Sequence, residues 1–556
     1  MNEPLAKERY VKRWGALKTE RSSWDSHWAE ISKHVLPRSG RFTTDDTNKG
    51  DKRHNNILDS TGTKALRVLA AGMMAGMTSP ARPWFRLATP DADLNKSPAV
   101  KLWLSQATRL MLDIFGKSNT YRALHSGYEE LGCFGTMSDI LMPDFKNVIH
   151  HYPLTTGEYC LAQNWKGEID TLYREFKKPV GNLVEEFGFE NVSLSVQNQY
   201  ANGNKDNLIA VVHAIEPRAD RDTRKRDSQN MAWSSVYFEL AGSNKDKVLR
   251  ESGFHQFPAL AARWATTGGD IYGSSPGMDA LGDIKQLQHQ QLRKGQGIDF
   301  QTNPPLQVPS SLKNQAVDRL PGGITYVDQA SNGNAVRSMF DVNINLQYLL
   351  ADIQDVRSRI DGAFNADLFL MLANSTSTNM TATEVAERHE EKLLMLGPVL
   401  ERLHSEMLDP LIESTFAQMV ESGIVPAPPP ELEGMDLNVE FVSMLAQAQR
   451  AIATNGIDRF VGNLGQVASF KPDVLDNFNA DEWANSYSDM LGVDPQIIVP
   501  SDKVALIRAD RAKAAQAQQQ AAMAEQMAGA AQKLGTVQTD TGNAGNDIMR
   551  QFSGYQ

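Results

Sequence analysis

The strongest constraint on this sequence is a helical pattern that covers residues 381–424. Thr381 and Glu384 have the spacing of a capping box, in which two side chains satisfy backbone N–H groups of the first turn. Apolar residues then recur at mostly helical spacing. Pro398 and Pro410 interrupt the pattern, because each removes a backbone donor and crowds the preceding turn. We therefore predict one long helix that is bent or broken at two places.

The stretch before this helix joins an apolar run to a polar one. Residues 368–372 read Leu-Phe-Leu-Met-Leu, and residues 373–379 consist mostly of asparagine, serine and threonine. Between two strong helical patterns, this composition is typical of an ordinary helix–loop–helix. It is also compatible with a flexible loop that has a function of its own.

Length and composition exclude several classes of protein. A chain of 556 residues is too long for one core and predicts roughly two to four domains. Its two cysteines, Cys133 and Cys160, form no metal-binding spacing, so we expect a reducing compartment and no disulfide framework. The N-terminus is charged from Glu3 onward, which argues against a signal peptide. The most apolar helical stretch, residues 65–77, is too short to span a membrane.

The net charge of −11 bears on nucleic-acid binding. A protein that grips duplex DNA tightly normally presents a basic face to the phosphates. The acidic balance of this chain therefore argues against a tight duplex binder.

The first 265 residues indicate an α+β region. Helical patterns cover residues 5–36, 60–77, 98–116 and 119–134. From residue 136 the period changes towards two, which predicts a mostly antiparallel sheet with one helix at 179–188. The predicted strands are 136–142, 147–152, 157–163, 168–175, 208–216, 232–240 and 247–252.

Two further helical patterns enclose a different kind of segment. The first, residues 276–300, is rich in glutamine and needs polar neighbours or a wet surface. The second, residues 343–365, carries an apolar seam. Residues 301–342 between them are rich in proline and glycine, with one predicted strand at 323–328. We interpret them as a compact insert.

The C-terminal part changes composition twice. Residues 425–434 are rich in proline and are interpreted as a stiff linker. A smaller helical region follows, and residues 508–533 are rich in alanine and glutamine, which predicts helix with little apolar surface. The final residues, rich in glycine, asparagine and threonine, are predicted to be disordered.

One motif raises the hypothesis of an enzyme. Residues 273–277 match G-x-S-x-G, in which Ser275 stands at the position of a hydrolase nucleophile. The residue after the nucleophile must donate its N–H to the oxyanion hole, and Pro276 has none. We therefore interpret Ser275 as a helix cap and predict that the chain is not an enzyme.

Other candidate sites are weaker. Residues 116–118 end like a phosphate-binding loop, but Met111 stands where that motif needs glycine. His150 and His151 are adjacent on a predicted strand and point to opposite faces, which does not suit a shared metal. We expect no cofactor and no metal.

Two blocks of sequence carry a resemblance to a known family. Residues 379–385 read Asn-Met-Thr-Ala-Thr-Glu-Val. Residues 57–65 read Ile-Leu-Asp-Ser-Thr-Gly-Thr-Lys-Ala, and residues 77–80 read Met-Thr-Ser-Pro. In this order and at this separation, the blocks resemble the portal (head-to-tail connector) proteins of short-tailed, podovirus-type bacteriophages. The resemblance covers residues 5–500.

The resemblance implies a portal fold that is α+β and mainly helical, with an α/β wing, a two-helix stem, a small clip insert, a long kinked central helix and a helical crown. The implied parts are a wing over 1–275, a first stem helix over 276–300, a clip over 301–342, a second stem helix over 343–365, a tunnel loop over 366–380, a long kinked helix over 381–424, a crown over 425–502, and an Ala/Gln-rich helix with a disordered tail over 503–556.

It also implies a function. We expect a homo-oligomeric ring of twelve subunits at one capsid vertex of the virion, assembled in the host cytoplasm. Duplex DNA passes through its channel, without sequence specificity, during packaging and ejection. The expected partners are the terminase packaging motor, tail adaptor proteins, and major capsid and scaffolding proteins, and no membrane is involved. An α/β hydrolase-like enzyme using Ser275 and a non-ring structural adaptor remain the alternatives.

Three groups of site residues follow from the resemblance. In the tunnel loop, the residues expected to lie near DNA are Asn374, Ser375, Thr376, Ser377, Thr378 and Asn379. The clip contacts the motor and adaptors through Pro304, Pro305, Val308, Leu320, Gly322, Gly323 and Tyr326. The stem residues are Gln288, Gln291, Lys294, Asp352, Arg357 and Arg359.

Overall fold

The computed structural model describes residues 6–42, 53, 56–91, 94–225, 227–242, 247–302, 306–307, 337–338, 346–373, 396–432, 434, 437–441, 460–491, 499 and 501–535. The chain divides into two compact units, Met1–Asn477 and Phe478–Gln556. The first unit combines helices with antiparallel sheets. The fold is therefore α+β, as the sequence predicts.

The N-terminal helices confirm the helical patterns. They are α1 (Ala6–His34), α2 (Thr61–Met77), α3 (Pro98–Lys117) and α4 (Thr120–Phe134). Each buries an apolar stripe, and Trp28 of α1 is wholly buried. Arg21, a charged residue in the stripe of α1, is buried too. Its guanidinium donates to the backbone carbonyls of Gly157 and Tyr159 at 2.9 and 2.6 Å.

The strands form antiparallel pairs throughout the described part of the chain. Those between α4 and residue 263 are β2 (Thr136–Asp144), β3 (Val148–Leu154), β4 (Tyr159–Gln163), β5 (Ile169–Pro179), β6 (Leu208–Pro217), β7 (Trp233–Glu239), β8 (Arg250–Phe254) and β9 (Ala259–Arg263). They build a three-stranded sheet in the order β3-β2-β9 and a five-stranded sheet in the order β4-β5-β6-β7-β8. All seven predicted strands are confirmed, but they are divided between two sheets.

Sequence analysis does not predict β9. All five of its residues are buried, and it consists mainly of alanine. A short strand that is buried on both faces lacks the alternation that identifies half-exposed strands.

Helices pack on both faces of the five-stranded sheet. Tyr10, Trp14 and Leu17 of α1 pack on one face, against residues such as Tyr173 and Phe238. The opposite face is partly covered by α5 (Val180–Phe187) and α6 (Leu194–Ala201). The sequence predicts α5 but not α6, which is short and buries little apolar surface.

A strand far along the chain completes the N-terminal part of the core. Strand β1 (Phe85–Ala88) pairs with β12 (Asn438–Phe441), and Trp103 donates its indole N–H to the carbonyl of Pro426 at 3.0 Å. Leu432 is buried in the same core. Residues 426–432 are therefore packed on this core and do not form the separate linker that the proline-rich composition predicts.

Two long helices occupy the positions predicted for the stem. After the short α7 (Pro276–Asp279) come α8 (Leu281–Thr302) and α9 (Leu346–Ala363), which pack on each other. Strands β10 (Leu306–Gln307) and β11 (Arg337–Ser338) pair between them and bring the two ends of the insert together. The strand predicted at 323–328 lies outside the described residues.

The segment predicted as the tunnel loop begins as a helix. Helix α10 (Ala366–Ala373) buries Leu368 and Phe369, so this half of the segment belongs to the core. The tunnel-loop prediction is therefore wrong for residues 366–373, because Leu368 and Phe369 of the apolar run are buried in a helix. The remaining residues, 374–380, lie outside the described part of the chain.

The described part of the central helix changes its winding at a proline. Residues 396–403 are α-helical, His404–Leu408 form a π-helical turn, and α11 (Asp409–Glu421) follows. The N–H of Asp409 reaches back to the carbonyl of His404. The wider turn accommodates the missing donor of Pro410 without ending the helix. The capping box at Thr381 and Glu384 lies outside the described residues.

The second compact unit is helical where it is described. It contains α12 (Ala480–Leu491) and α13 (Ser501–Gly535), joined by an ion pair between Asp481 and Arg508 at 2.6 Å. Helix α13 confirms the helix predicted for residues 508–533. Among the described residues, no helix is both long and apolar enough to cross a membrane.

The packing of α10 on α2 can be tested by substitution of Gly72. A Cβ at Gly72 would overlap ring atoms of Phe369, so the absence of a side chain at Gly72 makes room for this ring. We expect Gly72→Ala to lower the free energy of unfolding by about 1–3 kcal/mol through overpacking. Gly116→Ala is the matched control, because nothing lies within 4 Å of its Cβ position.

Urea denaturation of both variants makes the comparison. Helix propensity favours alanine over glycine by about 1 kcal/mol, so Gly116→Ala should be neutral or stabilising. Equal effects of the two substitutions would show that Phe369 does not occupy the space beside Gly72.

Candidate functional site

The carboxylate of Asp59 joins three elements that are far apart in the sequence. It lies just before α2, and its Oδ1 accepts hydrogen bonds from the backbone N–H and hydroxyl of Thr61 at 3.0 and 2.6 Å. Its Oδ2 accepts from Gln291 of α8 at 2.8 Å and from the guanidinium of Arg357 of α9 at 2.7 Å. The start of α2 is thereby fixed to both long helices.

Gln288 holds the backbone of the same segment. Its side-chain oxygen accepts from the N–H groups of Leu58 and Asp59 at 2.6 and 2.8 Å. Its side-chain nitrogen donates to the carbonyl of Asp59 at 2.9 Å. A buried amide is costly unless both ends are hydrogen-bonded, and here both are. We call this set the Asp59 junction: Asp59, Thr61, Gln288, Gln291 and Arg357.

The junction keeps Asp59 ionised. Burial raises the pKa of the carboxyl, but hydrogen bonds from Thr61 and Arg357 outweigh burial, and the pKa lies below its ordinary value. The Asp59 side chain is 7% exposed and that of Arg357 is 39% exposed, so the ion pair is only partly screened by water. A charged hydrogen-bonded pair of this kind specifies the relative placement of its elements.

Helices α8 and α9 are also tied to each other directly. Leu287 of α8 and Ile353 and Val356 of α9 are buried in the common core. Outside this seam, Gln290 donates to the carboxylate of Asp352, and Arg359 pairs with Asp283 at 3.2 Å. Polar bonds thus border an apolar seam between the two helices.

Five of the six predicted stem residues have bonding partners in the described part of the subunit. The glutamine-rich pattern of residues 276–300 predicts polar neighbours or a wet surface, and several of its glutamines have polar neighbours. In the structure, Gln288, Gln291 and Arg357 serve the Asp59 junction, and Asp352 and Arg359 tie α8 to α9. These five therefore bond within the subunit. Lys294 is half-buried and lies outside the junction.

Sequence reasoning identifies the junction only in part. Periodicity predicts that a helix begins near residue 60. The structure shows that Asp59 accepts from the first turn of α2, whereas the Ser60 side chain makes no capping bond. The bonds to Gln291 and Arg357 span 232 and 298 residues. Nothing local in the sequence marks partners at such distances.

The other predicted site residues are placed outside the described part of the chain. These are the tunnel-loop residues 374–379 and all seven clip residues between 304 and 326. Among the described residues, no group of three or more histidine, cysteine, aspartate or glutamate side chains could hold a metal ion.

Ser275 acts as a helix cap. Its hydroxyl is buried, donates to the carbonyl of Cys133 at 2.8 Å and accepts from the N–H of Met278 at 3.1 Å. The match to G-x-S-x-G therefore reflects capping of α7. His151 is buried between Asp139 and Thr120. The Nε2 of His151 lies 2.9 Å from the Thr120 hydroxyl, and its Nδ1 bonds to the Asp139 carboxylate, so this histidine has a structural role in the core.

A second junction ties the π-helical turn to the sheets. Glu406 accepts from the guanidinium of Arg263 at 2.7 Å and from the Arg263 N–H at 2.9 Å. His404, in the same turn, stacks on Phe441 of β12 with ring centroids 4.0 Å apart. Burial lowers the pKa of His404 to about 4, so its ring is neutral at pH 7.

Comparison with known proteins places the chain in a family. It belongs to the bacteriophage head to tail connecting proteins, whose family model matches residues 7–499. It is 62% identical to the probable portal protein of Bordetella phage BPP-1 over 555 residues, covering 100% of both chains. It is 47% identical to the portal protein of Salmonella phage epsilon15 over 539 residues, covering 97% of each chain. A solved neck of an empty GTA particle aligns with a TM-score of 0.32 and 10% identity, covering 78% of this chain and 90% of that chain.

The Asp59–Arg357 ion pair is testable by a double-mutant cycle. We expect Asp59→Asn and Arg357→Gln each to lower the free energy of unfolding by about 1–3 kcal/mol, because each leaves a polar partner unsatisfied. The double variant should lose less than the sum of the two. The control Glu30→Gln breaks the exposed Glu30–Lys285 pair, with side chains 43% and 50% exposed, and should cost at most about 0.5 kcal/mol.

The same cycle has a pH signature. The folded pKa of Asp59 lies below the unfolded value near 3.8, so its contribution is present above that pH and is lost as the pH falls through the folded pKa. The gap between wild type and Asp59→Asn should close at strongly acidic pH. Strict additivity, or a gap independent of pH, would refute the ion pair.

His404 predicts a second pH dependence. Its folded pKa of about 4 lies below the unfolded value of 6.5, so the unfolded chain binds more protons between these values and stability falls as the pH is lowered. We expect His404 to lower the free energy of unfolding of the wild type by about 1–2 kcal/mol at pH 5 relative to pH 8. H404F keeps the stack on Phe441 and should remove that loss in urea unfolding. The exposed His255 provides the control H255F, which should leave the loss unchanged.

Proposed function

We propose that this chain is the subunit of a portal ring at one vertex of a bacteriophage capsid. The observation that carries the proposal is similarity along the whole chain to two proteins named portal protein, at 62% and 47% identity. The ring would contain twelve copies and would form the channel through which duplex DNA is packaged and ejected. The role is structural and needs no catalytic group or cofactor.

The α8–α9 pair supports the assignment of a stem. The two helices are long and packed together, and the Asp59 junction fixes them to α2 in the core. A stem must keep its angle to the body of the subunit while neighbours and DNA press on it. Hydrogen bonds from both helices to one carboxylate resist such rotation better than apolar contacts alone, because their geometry is directional.

The remaining parts follow from the order of elements. The insert between α8 and α9, closed at its base by β10 and β11, is proposed as the clip that meets the terminase motor and the tail adaptors. Residues 374–380, after α10, are proposed as a tunnel loop shorter than sequence reasoning suggests. Major capsid and scaffolding proteins would contact the outer parts of the subunit, and assembly would take place in the host cytoplasm.

The acidic balance of the chain suits a channel. DNA must slide during packaging, and each neutralised phosphate adds affinity through counterion release. A net charge of −11 argues against a wall that grips the duplex.

Native mass with light scattering, followed by negative-stain imaging, tests the proposal. Twelve times the chain mass of 61.5 kDa is about 738 kDa, and we expect a particle near this mass with a central hole wide enough for duplex DNA. A folded monomer or dimer at high concentration would contradict a ring and favour a non-ring adaptor. Asp59→Asn should preserve the subunit fold but lower the yield of rings, whereas the control Glu30→Gln should not.

A further inference from the structure

One face of the five-stranded sheet carries an unassigned row of cations. The backbone register aligns Arg174 of β5 with His213 of β6, His213 with Tyr237 of β7, and Tyr237 with Arg250 of β8. Directly paired residues on adjacent strands point to the same face. These residues therefore form a line across four strands with an arginine at each end.

Aromatic rings support both guanidinium groups. The guanidinium carbon of Arg174 lies 5.7 Å from the ring centroid of Tyr152 and 5.1 Å from that of Phe176. The guanidinium carbon of Arg250 lies 5.2 Å from the ring centroid of Phe187. A guanidinium packed on a ring keeps its N–H edge available for a carboxylate, and its side chain loses less freedom on binding.

The negative charge beside this row is smaller than its positive charge. Lys178 and Arg250 share one carboxylate, that of Glu186, with the Arg250 contact at 3.8 Å. Arg174 forms no ion pair or hydrogen bond with any described residue, and its buried Nε has no acceptor there. Glu186 is thus the described carboxylate that pairs with these cations. A second carboxylate on this face, Glu239, is buried and accepts from the N–H of Ser193 at 2.9 Å.

The middle of the row is neutral. His213 is wholly buried, and its ring stacks on that of Tyr237 with centroids 3.9 Å apart. Its Nε2 lies 2.9 Å from the hydroxyl of Ser235, to which it is hydrogen-bonded. Burial first, and then the charges of Arg174 and Arg250, hold its pKa well below the ordinary value. The positive charge is therefore concentrated at the two ends and at Lys178.

We propose that this row, together with Lys178 on the same face, is a docking surface for an acidic polypeptide segment of a partner protein. Three strand intervals of about 4.8 Å, or about 14 Å in all, separate the backbones of the two arginines. An extended segment advances about 3.3 Å per residue, so carboxylates four residues apart match this distance and point to the same side. Each would accept two N–H groups from one guanidinium. This interaction goes beyond the proposed channel function.

A nucleic acid fits the same surface less well. Both guanidinium groups already lie next to aromatic rings of the protein, which leaves less of each group accessible for stacking on bases. Three cations are few for duplex DNA, and the chain as a whole carries a charge of −11 that repels it. A short acidic segment needs only hydrogen bonds from the N–H groups at the edges of the two guanidiniums.

Fluorescence anisotropy with the full-length protein tests the proposal. The probe is a labelled nine-residue peptide of glycine and serine with two glutamates four positions apart, and its glutamine counterpart measures background. We expect the glutamate peptide to bind and the R174Q/R250Q variant to bind it roughly 100-fold more weakly, about tenfold for each guanidinium. Binding should also weaken as ionic strength rises.

The matched control removes the same charge elsewhere. K12Q/R13Q changes two exposed cations on α1, which covers the opposite face of the sheet, and should alter the affinity by less than about twofold. R174K/R250K keeps the charge but loses the planar fork, so an intermediate loss is expected and serves if the glutamine variant fails to fold.

Three outcomes would overturn the proposal: no binding by wild type, equal loss in both double variants, or displacement of the peptide by a short DNA duplex whose own binding requires Arg174 and Arg250.

Discussion

The carboxylate of Asp59 is the point on which the arrangement of the long helices depends. A partly buried charge is stable only when its lone pairs are used, and here the donors come from the start of α2, from α8 and from α9. Moving any one of these elements would leave a charge or an amide unsatisfied. The directional bonds therefore set the angle of the α8–α9 pair, while the apolar seam supplies most of its stability.

Contacts of the same long range close the rest of the core. Strand β12 pairs with β1 across more than 350 residues, and Glu406 in the π-helical turn holds Arg263 of β9. The first compact unit is therefore not a series of independent parts in chain order. Residues after the central helix complete a sheet begun near residue 85, which explains why a proline-rich segment that resembles a linker is packed on the core.

Local patterns predict much of this fold and miss specific parts of it. Periodicity correctly predicts α1 to α5, α8, α9, α13 and seven strands, because each has enough apolar residues on one face. It misses β9 and β12, which are short and depend on distant partners, and it misassigns α10 to a loop. It selects Gln288, Gln291 and Arg357 as polar stem residues but does not identify their partners around Asp59.

The sequence by itself determined the α+β class, the order of helices and strands, the capping role of Ser275 and the resemblance to a phage connector family. These depend on propensity, spacing and composition, which act over a few residues. Only the tertiary structure decided which carboxylate pairs with which guanidinium and that Arg174 and Arg250 lie in one row. It also decided that the strand at 438–441 pairs with β1. Pairings of this kind are set by how distant segments pack together, and a linear pattern carries no record of that distance.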